Sequence, residues 1–303
     1  MGAAGCALVV LLAAGLGAWA KLGWALQRDN AELQAALADV HEYPKRCEQV
    51  PNYKGTLLSP DNCDIPRHHK SPDILVWGDS HAAHLIPVVS RYAIRRNLSM
   101  RTRWMPVCPP WLDYSPTLVG ADLIVGCQHF NRDVANEIRV LSQSGLHTVI
   151  ISWLGEFYLS NPAAFSATQV GIRETIQAIT DVGVRVIIVT PSPKFKKDIP
   201  ACLARRKETD CDMTRSEAES GRRADLELVA EANIERKWVS ILDPLPSLCT
   251  QLRCPVYDGG AVLYEDSDHL SEAGSMRLRK ELERALDPSA FHPTLPRGMQ
   301  SNH

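Results

Sequence analysis

The sequence predicts an α/β fold, a three-layer α/β/α sandwich in which helices cover both faces of a mostly parallel sheet. Two observations lead to this prediction. Strands and helices alternate along most of the chain, and several strands are almost continuously apolar, as parallel strands buried on both faces are. The composition agrees, since 45% of the 303 residues are hydrophobic and 22% are charged. Functional side chains are then expected where the strands end.

The chain begins with an apolar segment, which predicts a transmembrane anchor or a signal segment at residues 1–26. No charged side chain lies between Gly2 and Ala20, and the apolar run continues after Lys21. This length is close to the ~20 residues that span a bilayer. We favour one uncleaved transmembrane helix over a cleaved signal peptide, because no basic residue precedes the run and its cleavage motif is weak. A third interpretation is the last span of a longer membrane protein.

The rest of the chain divides into a stalk or linker at residues 27–46, a folded domain at 47–287 and a disordered tail at 288–303. The stalk includes a short amphipathic helix over 29–40, and the tail is rich in proline, histidine and polar residues. In the domain, apolar runs predict strands at residues 74–77, 100–104, 148–153, 185–190 and 239–242. Helical patterns follow at residues 80–96, 130–144, 166–182, 215–235 and 271–286.

Eight of the nine cysteines lie outside the apolar segment and fall into neighbouring pairs, which favours disulfides in an exported domain. Sequential pairing is the simplest of the many connectivities. It joins Cys47 with Cys63, Cys108 with Cys127, Cys202 with Cys211, and Cys249 with Cys254. Zinc is the competing interpretation, but no Cys-x-x-Cys motif is present. Basic residues after the apolar run oppose export by the positive-inside rule. The cysteine pattern outweighs them, and we expect a periplasmic domain on a single-pass inner-membrane anchor.

The charge distribution does not point to nucleic acid, because the net charge is −2. Basic residues cluster locally at residues 194–197, 205–207 and 222–223. These clusters are interpreted as solvated faces, with a rim for an anionic substrate as the alternative.

The segment from Asp73 to His81 predicts a nucleophile at the end of the first apolar strand. The strand stops at Gly78 and delivers Ser80 to the start of a helix. Backbone N–H groups without partners and the positive end of the helix converge there, which suits a serine whose attack produces an oxyanion. The structural alternative is a helix cap formed by Asp79 or Ser80.

The segment from Asp266 to Ser271 supplies a base and a carboxylate to orient it, at the start of the last helix. Asp266 and His269 are three residues apart, and Asp268 is the alternative orienting carboxylate. Helix capping by either aspartate is again the structural alternative. Together with Ser80, the segment completes a set of nucleophile, base and orienter.

These motifs, Gly78-Asp79-Ser80-His81 and Asp266-x-x-His269, resemble the first and last blocks of the SGNH (GDSL-like) esterase and acyltransferase superfamily. More narrowly, four segments are similar to exported SGNH domains fused behind acyltransferase-3 membrane domains, which O-acylate surface glycans. These are residues 75–85, 126–131, 254–256 and 263–271. The resemblance implies a flavodoxin-like sheet, Ser80 as nucleophile, His269 as base and Asp266 as its orienter. It also implies an oxyanion hole that includes the Ser80 backbone N–H.

The chain departs from the superfamily where an asparagine usually follows the next strand, because Ser152-Trp153-Leu154-Gly155 stands there. Gly126 or Asn131 is expected to supply the second oxyanion donor, with loop geometry and helix capping as alternatives. Trp153 is expected to line the pocket, with packing at the end of the sheet as the alternative. His84 is interpreted as a packing residue in preference to a contact for the leaving group.

The resemblance favours an O-acyltransferase, most simply for acetyl groups, that acts on a surface polysaccharide such as lipopolysaccharide O-antigen. No metal or other cofactor is implied. A separate multi-span membrane protein is expected to supply the acyl group, since this chain has at most one span. A periplasmic carbohydrate esterase is the first alternative, and a non-catalytic glycan-binding module is the second.

Overall fold

The computed structural model describes residues 31–38, 47–49, 57–58, 63–66, 71–112, 121–159, 162–206, 208–231 and 238–287. The predicted anchor at 1–26 and the predicted tail at 288–303 therefore lie outside the described residues. Within the described part, no helix is both long and apolar enough to cross a membrane.

The centre of the domain is a six-stranded sheet in the order β1-β3-β2-β4-β5-β7, parallel except for β1, which is antiparallel to β3. This confirms the predicted α/β fold with a mostly parallel sheet. Its strands are β1 (Asp64–Ile65), β2 (Ile74–Gly78), β3 (Met100–Trp104), β4 (Thr148–Ser152), β5 (Arg185–Val189) and β7 (Val239–Leu242). Two short antiparallel pairs lie outside it, β6 (Met213–Thr214) with β8 (Arg253–Cys254), and β9 (Tyr257–Asp258) with β10 (Ala261–Val262).

Helices pack against both faces of the sheet because the strand side chains alternate between two apolar cores. In β2, Ile74 and Val76 join one core, and Leu75 and Trp77 join the other. The helices are α1 (Ala31–Ala38), α2 (Ser80–Ala83), α3 (Ile86–Arg95), α4 (Ala121–Leu141), α5 (Pro162–Thr180), α6 (Ile199–Leu203), α7 (Arg215–Gly221), α8 (Arg223–Glu231), α9 (Leu245–Leu248), α10 (Glu272–Arg277) and α11 (Arg279–Leu286). Valine side chains of α3 and leucine side chains of α11 complete the first core, and valine, leucine and isoleucine side chains of α4 and α5 complete the second.

Three predicted helices are each divided in two. The helix expected at 80–96 is interrupted between Ala83 and Ile86, because Pro87 has no backbone N–H to continue the hydrogen-bond pattern. The helix expected at 215–235 is interrupted after Gly221 as far as it is described, and the helix expected at 271–286 is interrupted at Leu278. The first division matters for the site, because it leaves the nucleophile on a one-turn helix of its own.

The described part of the predicted stalk is α1, which contacts β10 instead of standing apart from the domain. Leu33 and Ala36 of α1 are buried in the first core. The chain just after the predicted anchor is thus packed onto the domain.

The described residues contain four disulfides, which join Cys47 to Cys63, Cys108 to Cys127, Cys202 to Cys211, and Cys249 to Cys254. Each bond joins one cysteine to the next cysteine along the chain, as in the sequential pairing described above. The Cys202–Cys211 bond closes the loop that lies between β5 and β6.

Candidate active site

Ser80 is the first residue of α2 and lies at the carboxyl end of β2, near the centre of the sheet. The turn requires a glycine before it. A Cβ atom on Gly78 would lie 2.0 Å from the carbonyl oxygen of Ser152 in the adjacent strand β4. The absence of a side chain therefore lets β2 turn into α2 directly beside β4.

Asp79 caps α2 and joins it to the segment that follows β4. Its Oδ1 accepts a hydrogen bond from the backbone N–H of His81 at 2.8 Å. Its Oδ2 accepts from the backbone N–H of Leu154 at 2.8 Å and from the hydroxyl of Tyr158 at 2.6 Å. The carboxyl group is fully buried, and burial raises its pKa. The helix cap predicted as a structural alternative is real, and Asp79, not Ser80, forms it.

Ser80, His269 and Asp266 form a continuous hydrogen-bonded chain. The Oγ of Ser80 lies 2.7 Å from Nε2 of His269, although the two residues are 189 positions apart in the sequence. Nδ1 of His269 lies 2.6 Å from Oδ2 of Asp266. The other oxygen of Asp266 accepts the backbone N–H groups of Asp268 and His269 at 2.8 and 2.7 Å. The three side chains have the relative positions of a serine nucleophile, its base and the carboxylate that orients the base.

The pKa values of the pair agree with this arrangement. Burial would raise the pKa of Asp266, but its hydrogen bonds with His269 and with backbone N–H groups lower it to about 2. Burial would lower the pKa of His269, but the hydrogen bond to Asp266 and nearby negative charges raise it. An ionised Asp266 must accept a proton from Nδ1, which leaves Nε2 of the neutral imidazole free to accept the Ser80 proton.

Two further histidines of the first turn after β2 pack against this chain. The rings of His81 and His269 have centroids 4.9 Å apart, and those of His81 and His84 are 4.8 Å apart. His84 is buried, and its Nδ1 accepts the backbone N–H of Leu270 at 3.4 Å. Burial lowers the pKa of His84 well below its usual value. The packing interpretation therefore fits His84 better than a leaving-group contact, and sequence reasoning overlooked His81.

Asp268 contributes a second carboxylate on the same side of His269. Its Oδ1 lies 3.3 Å from Nδ1 of His269 and 3.7 Å from Nε2 of His81. The His81, Asp268 and His269 side chains are close enough to hold a metal ion, and so are Glu265, Asp266 and His269.

Three of the residues predicted for the oxyanion hole or the pocket make their hydrogen bonds with other parts of the protein. Both amide hydrogens of Asn131 are donated to the carbonyl oxygens of Pro109 and Trp111 at 2.8 and 2.9 Å. Gly126 lies inside α4, where a backbone N–H bonds the carbonyl four residues earlier. Trp153 is fully buried and donates its indole N–H to Asp225. Asn131 therefore has a buried structural role, and Trp153 packs at the end of the sheet.

A basic segment between β5 and α6 adjoins the site. The backbone N–H of Phe195 donates to the Ser267 carbonyl at 2.8 Å, and the Lys194 ammonium lies 3.9 Å from Asp268. Lys194 is exposed, as the solvated-face interpretation predicts. That interpretation is wrong for Arg222, which is buried and paired with Asp243 at 2.5 Å.

The raised pKa of His269 predicts the pH dependence of an activity that uses it as base. The base must be neutral, so kcat/KM should fall as the pH drops through a value above the ordinary 6.5. Asp266→Asn should move this acid limb to lower pH, because the negative charge that favours the imidazolium is lost. The measurement is kcat/KM for a small acetyl ester from about pH 5 to 9. An acid limb at or below the ordinary histidine value in the unaltered chain would contradict it.

Comparisons with known proteins identify the family of the chain and a solved structure with a similar fold. A family model described as "SGNH domain (fused to AT3 domains)" matches residues 46–284. No curated protein sequence matches the chain. Among solved structures, the fold is similar to the periplasmic domain of a lipopolysaccharide acetyltransferase from Salmonella ser. Paratyphi A. The TM-score is 0.53 and the identity 18%, over 70% of this chain and 82% of that one. Since the family match spans most of the sequence, the chain belongs to the family of SGNH domains fused to AT3 domains.

Proposed function

We propose that the protein is an exported, membrane-anchored serine O-acyltransferase that moves an acetyl group to a cell-surface polysaccharide such as lipopolysaccharide O-antigen. The observation that carries the proposal is the continuous chain from Ser80 through His269 to Asp266, with contacts of 2.7 and 2.6 Å. Membership of the SGNH family supports chemistry on ester bonds. The similarity in fold to a lipopolysaccharide acetyltransferase domain makes a glycan acceptor the first to test.

The reaction proceeds in two halves through an acyl group on Ser80. In the first half, Ser80 Oγ attacks the carbonyl carbon of the donor and its proton passes to Nε2 of His269. The bond from the carbonyl carbon to the donor's leaving group breaks, and the leaving group takes the proton from His269. In the second half, a sugar hydroxyl gives its proton to His269 and attacks the acyl carbon. Ser80 Oγ then leaves and recovers the proton, which regenerates the enzyme.

The Ser80 backbone N–H is the first donor to the developing oxyanion. Ser80 is the first residue of α2, so no carbonyl of that helix can accept its N–H. Asn131, Gly126 and Trp153 are committed elsewhere. A second donor must therefore come from a group other than these three residues.

The acyl donor is proposed to come from a separate multi-span membrane protein of the acyltransferase-3 type. Family members are described as fused to such domains, and residues 1–26 of this chain are proposed as a single inner-membrane anchor. The anchor would hold the periplasmic domain beside its partner and raise the local concentration of each for the other. The packing of α1 on the domain supports this arrangement, because it shortens the free linker.

A periplasmic carbohydrate esterase is the second candidate. It is favoured by the completeness of the Ser80, His269 and Asp266 chain, because hydrolysis of an acyl-enzyme needs only water. A purely glycan-binding module is less consistent with the site, since binding does not require a nucleophile aligned with its base.

The test is the intact mass of the purified full chain after incubation with an activated acetyl ester. We expect an acetyl adduct that is absent from Ser80→Ala and retained by the control Ser267→Ala, a serine of the same site. Faster discharge of the adduct to added oligosaccharide than to water would support the transferase. Discharge to water alone would favour the esterase, and no adduct on a correctly disulfide-bonded chain would leave the binding module as the better proposal.

A further inference from the structure

The imidazole of His81 has no part in the reaction described above, although the residue directly follows the nucleophile. His81 is 1% exposed, and neither ring nitrogen has a hydrogen-bond partner among the described residues. Buried side-chain nitrogen atoms without a partner are rare in native proteins and call for an explanation. Nε2 of this ring faces Oδ1 of Asp268 at 3.7 Å.

The same oxygen of Asp268 faces the base. It lies 3.3 Å from Nδ1 of His269, the nitrogen that Asp266 contacts at 2.6 Å. His269 therefore has two carboxylates against one ring nitrogen. The side chain of Asp268 is 13% exposed, whereas that of Asp266 is 38% exposed. Water therefore screens the charge of Asp268 less than that of Asp266, although Asp266 lies closer to the ring.

We propose that His81 and Asp268 form a positioning pair, in which His81 holds the Asp268 carboxylate against His269 as a second orienting group. The inference rests on the proposed function, in which His269 is the base. It adds one residue beside the nucleophile and one beside the base, and neither contacts the reacting atoms.

A partner such as His81 is needed because two carboxylates lie close together beside His269. Asp266 and Asp268 repel each other when both are ionised, and each would lose its charge or move away without a compensating partner. The His81 imidazole on one side of Asp268 and the Lys194 ammonium, 3.9 Å away on the other, supply that compensation. Once His269 takes the Ser80 proton, its positive charge then faces two carboxylates instead of one.

The packing supports the same role. The His81 ring lies with its centroid 4.9 Å from that of His269, tilted by 46°, so it limits rotation of the base as well as contacting its carboxylate. The titratable groups that face the pair come from several segments. They are Asp79 and His84 around α2, Glu265, Asp266 and His269 in the last loop, and Lys194 after β5.

A double-mutant cycle tests the pair in the full chain, with Ser80-dependent hydrolysis of 4-nitrophenyl acetate as the readout. His81→Phe keeps a ring but removes both nitrogens, and Asp268→Asn keeps the shape but removes the charge. Each is expected to lower kcat about tenfold with little change in KM. The double variant should also lose about tenfold, because both changes break the same unit. His81→Gln, whose side-chain amide can donate to Asp268, should recover part of the loss.

The matched control is the cycle of His84→Phe with Asp268→Asn. His84 is a neighbouring histidine, but its Nδ1 contacts Leu270 and not Asp268, so its effect should multiply with that of Asp268→Asn. Multiplication of the His81→Phe and Asp268→Asn losses, or full activity of His81→Phe, would overturn the proposal.

A spectroscopic measurement separates this inference from the proposed function. In Ser80→Ala chain labelled with ¹⁵N at histidine, Asp268→Asn should lower the titration midpoint of His269, and His81→Phe should change the chemical shift of its Nδ1. Unchanged signals in both variants would overturn the positioning pair whether or not the chain is active. Activity that is independent of Ser80 would overturn the proposed function alone.

Discussion

Ser80→Ala is expected to lower kcat for acetyl-ester hydrolysis about 10⁶-fold, and Asp266→Asn about 10⁴-fold. The first change removes the atom that carries the acyl group. The second leaves His269 in place but removes the acceptor that keeps its proton on Nδ1, so Nε2 no longer accepts the proton of Ser80. The double variant should be no slower than Ser80→Ala, because the residues act as one unit. Steady-state kinetics of the three variants measure this.

The control for these losses is Asp198→Asn, which changes a carboxylate near the site that caps α6 and contacts neither Ser80 nor His269. It should retain nearly full activity. If Asp268→Asn proved more damaging than Asp266→Asn, the orienting role would belong to Asp268, and the assignment made from the 2.6 Å contact would be wrong.

Asp79→Ala is expected to have the largest effect on stability, a loss of at least about 3 kcal/mol in the free energy of unfolding. The substitution leaves three donors without their acceptor: the N–H groups of His81 and Leu154 and the hydroxyl of Tyr158. Leaving a buried donor unsatisfied costs about 1–3 kcal/mol. Since Asp79 also fixes the start of the Ser80 helix, activity should fall with it. The shift of the urea unfolding midpoint measures the loss.

Two variants with smaller expected losses of stability serve as references for Asp79→Ala. Tyr158→Phe removes one of the three partners and should cost only about 1 kcal/mol. Asp198→Ala removes an exposed helix cap and should also cost about 1 kcal/mol. An Asp79→Ala variant no less stable than these two would show that water or a shifted backbone replaces the lost acceptor.

The residues predicted to donate to the oxyanion show what cannot be predicted from the sequence near the nucleophile. An asparagine is a suitable oxyanion donor, but Asn131 is buried and forms hydrogen bonds with Pro109, Trp111 and the indole N–H of Trp77. A side chain's type is visible in a sequence, whereas the partners that exhaust its hydrogen bonds come from distant segments. The same holds for His81, whose contacts with His269 and Asp268 involve residues far away in the sequence.

The parallel α/β sheet and the three residues to test can be predicted from the sequence alone. Apolar strands, a glycine that ends a strand and an Asp-x-x-His spacing are local patterns, and local patterns survive without tertiary contacts. The sequence does not predict where helices are interrupted, which groups Asn131 and Trp153 bond, or that charged residues such as Arg222 are buried. These features depend on tertiary contacts. Each depends on side chains that the fold brings together from positions far apart, as it does Ser80 and His269, 189 residues apart.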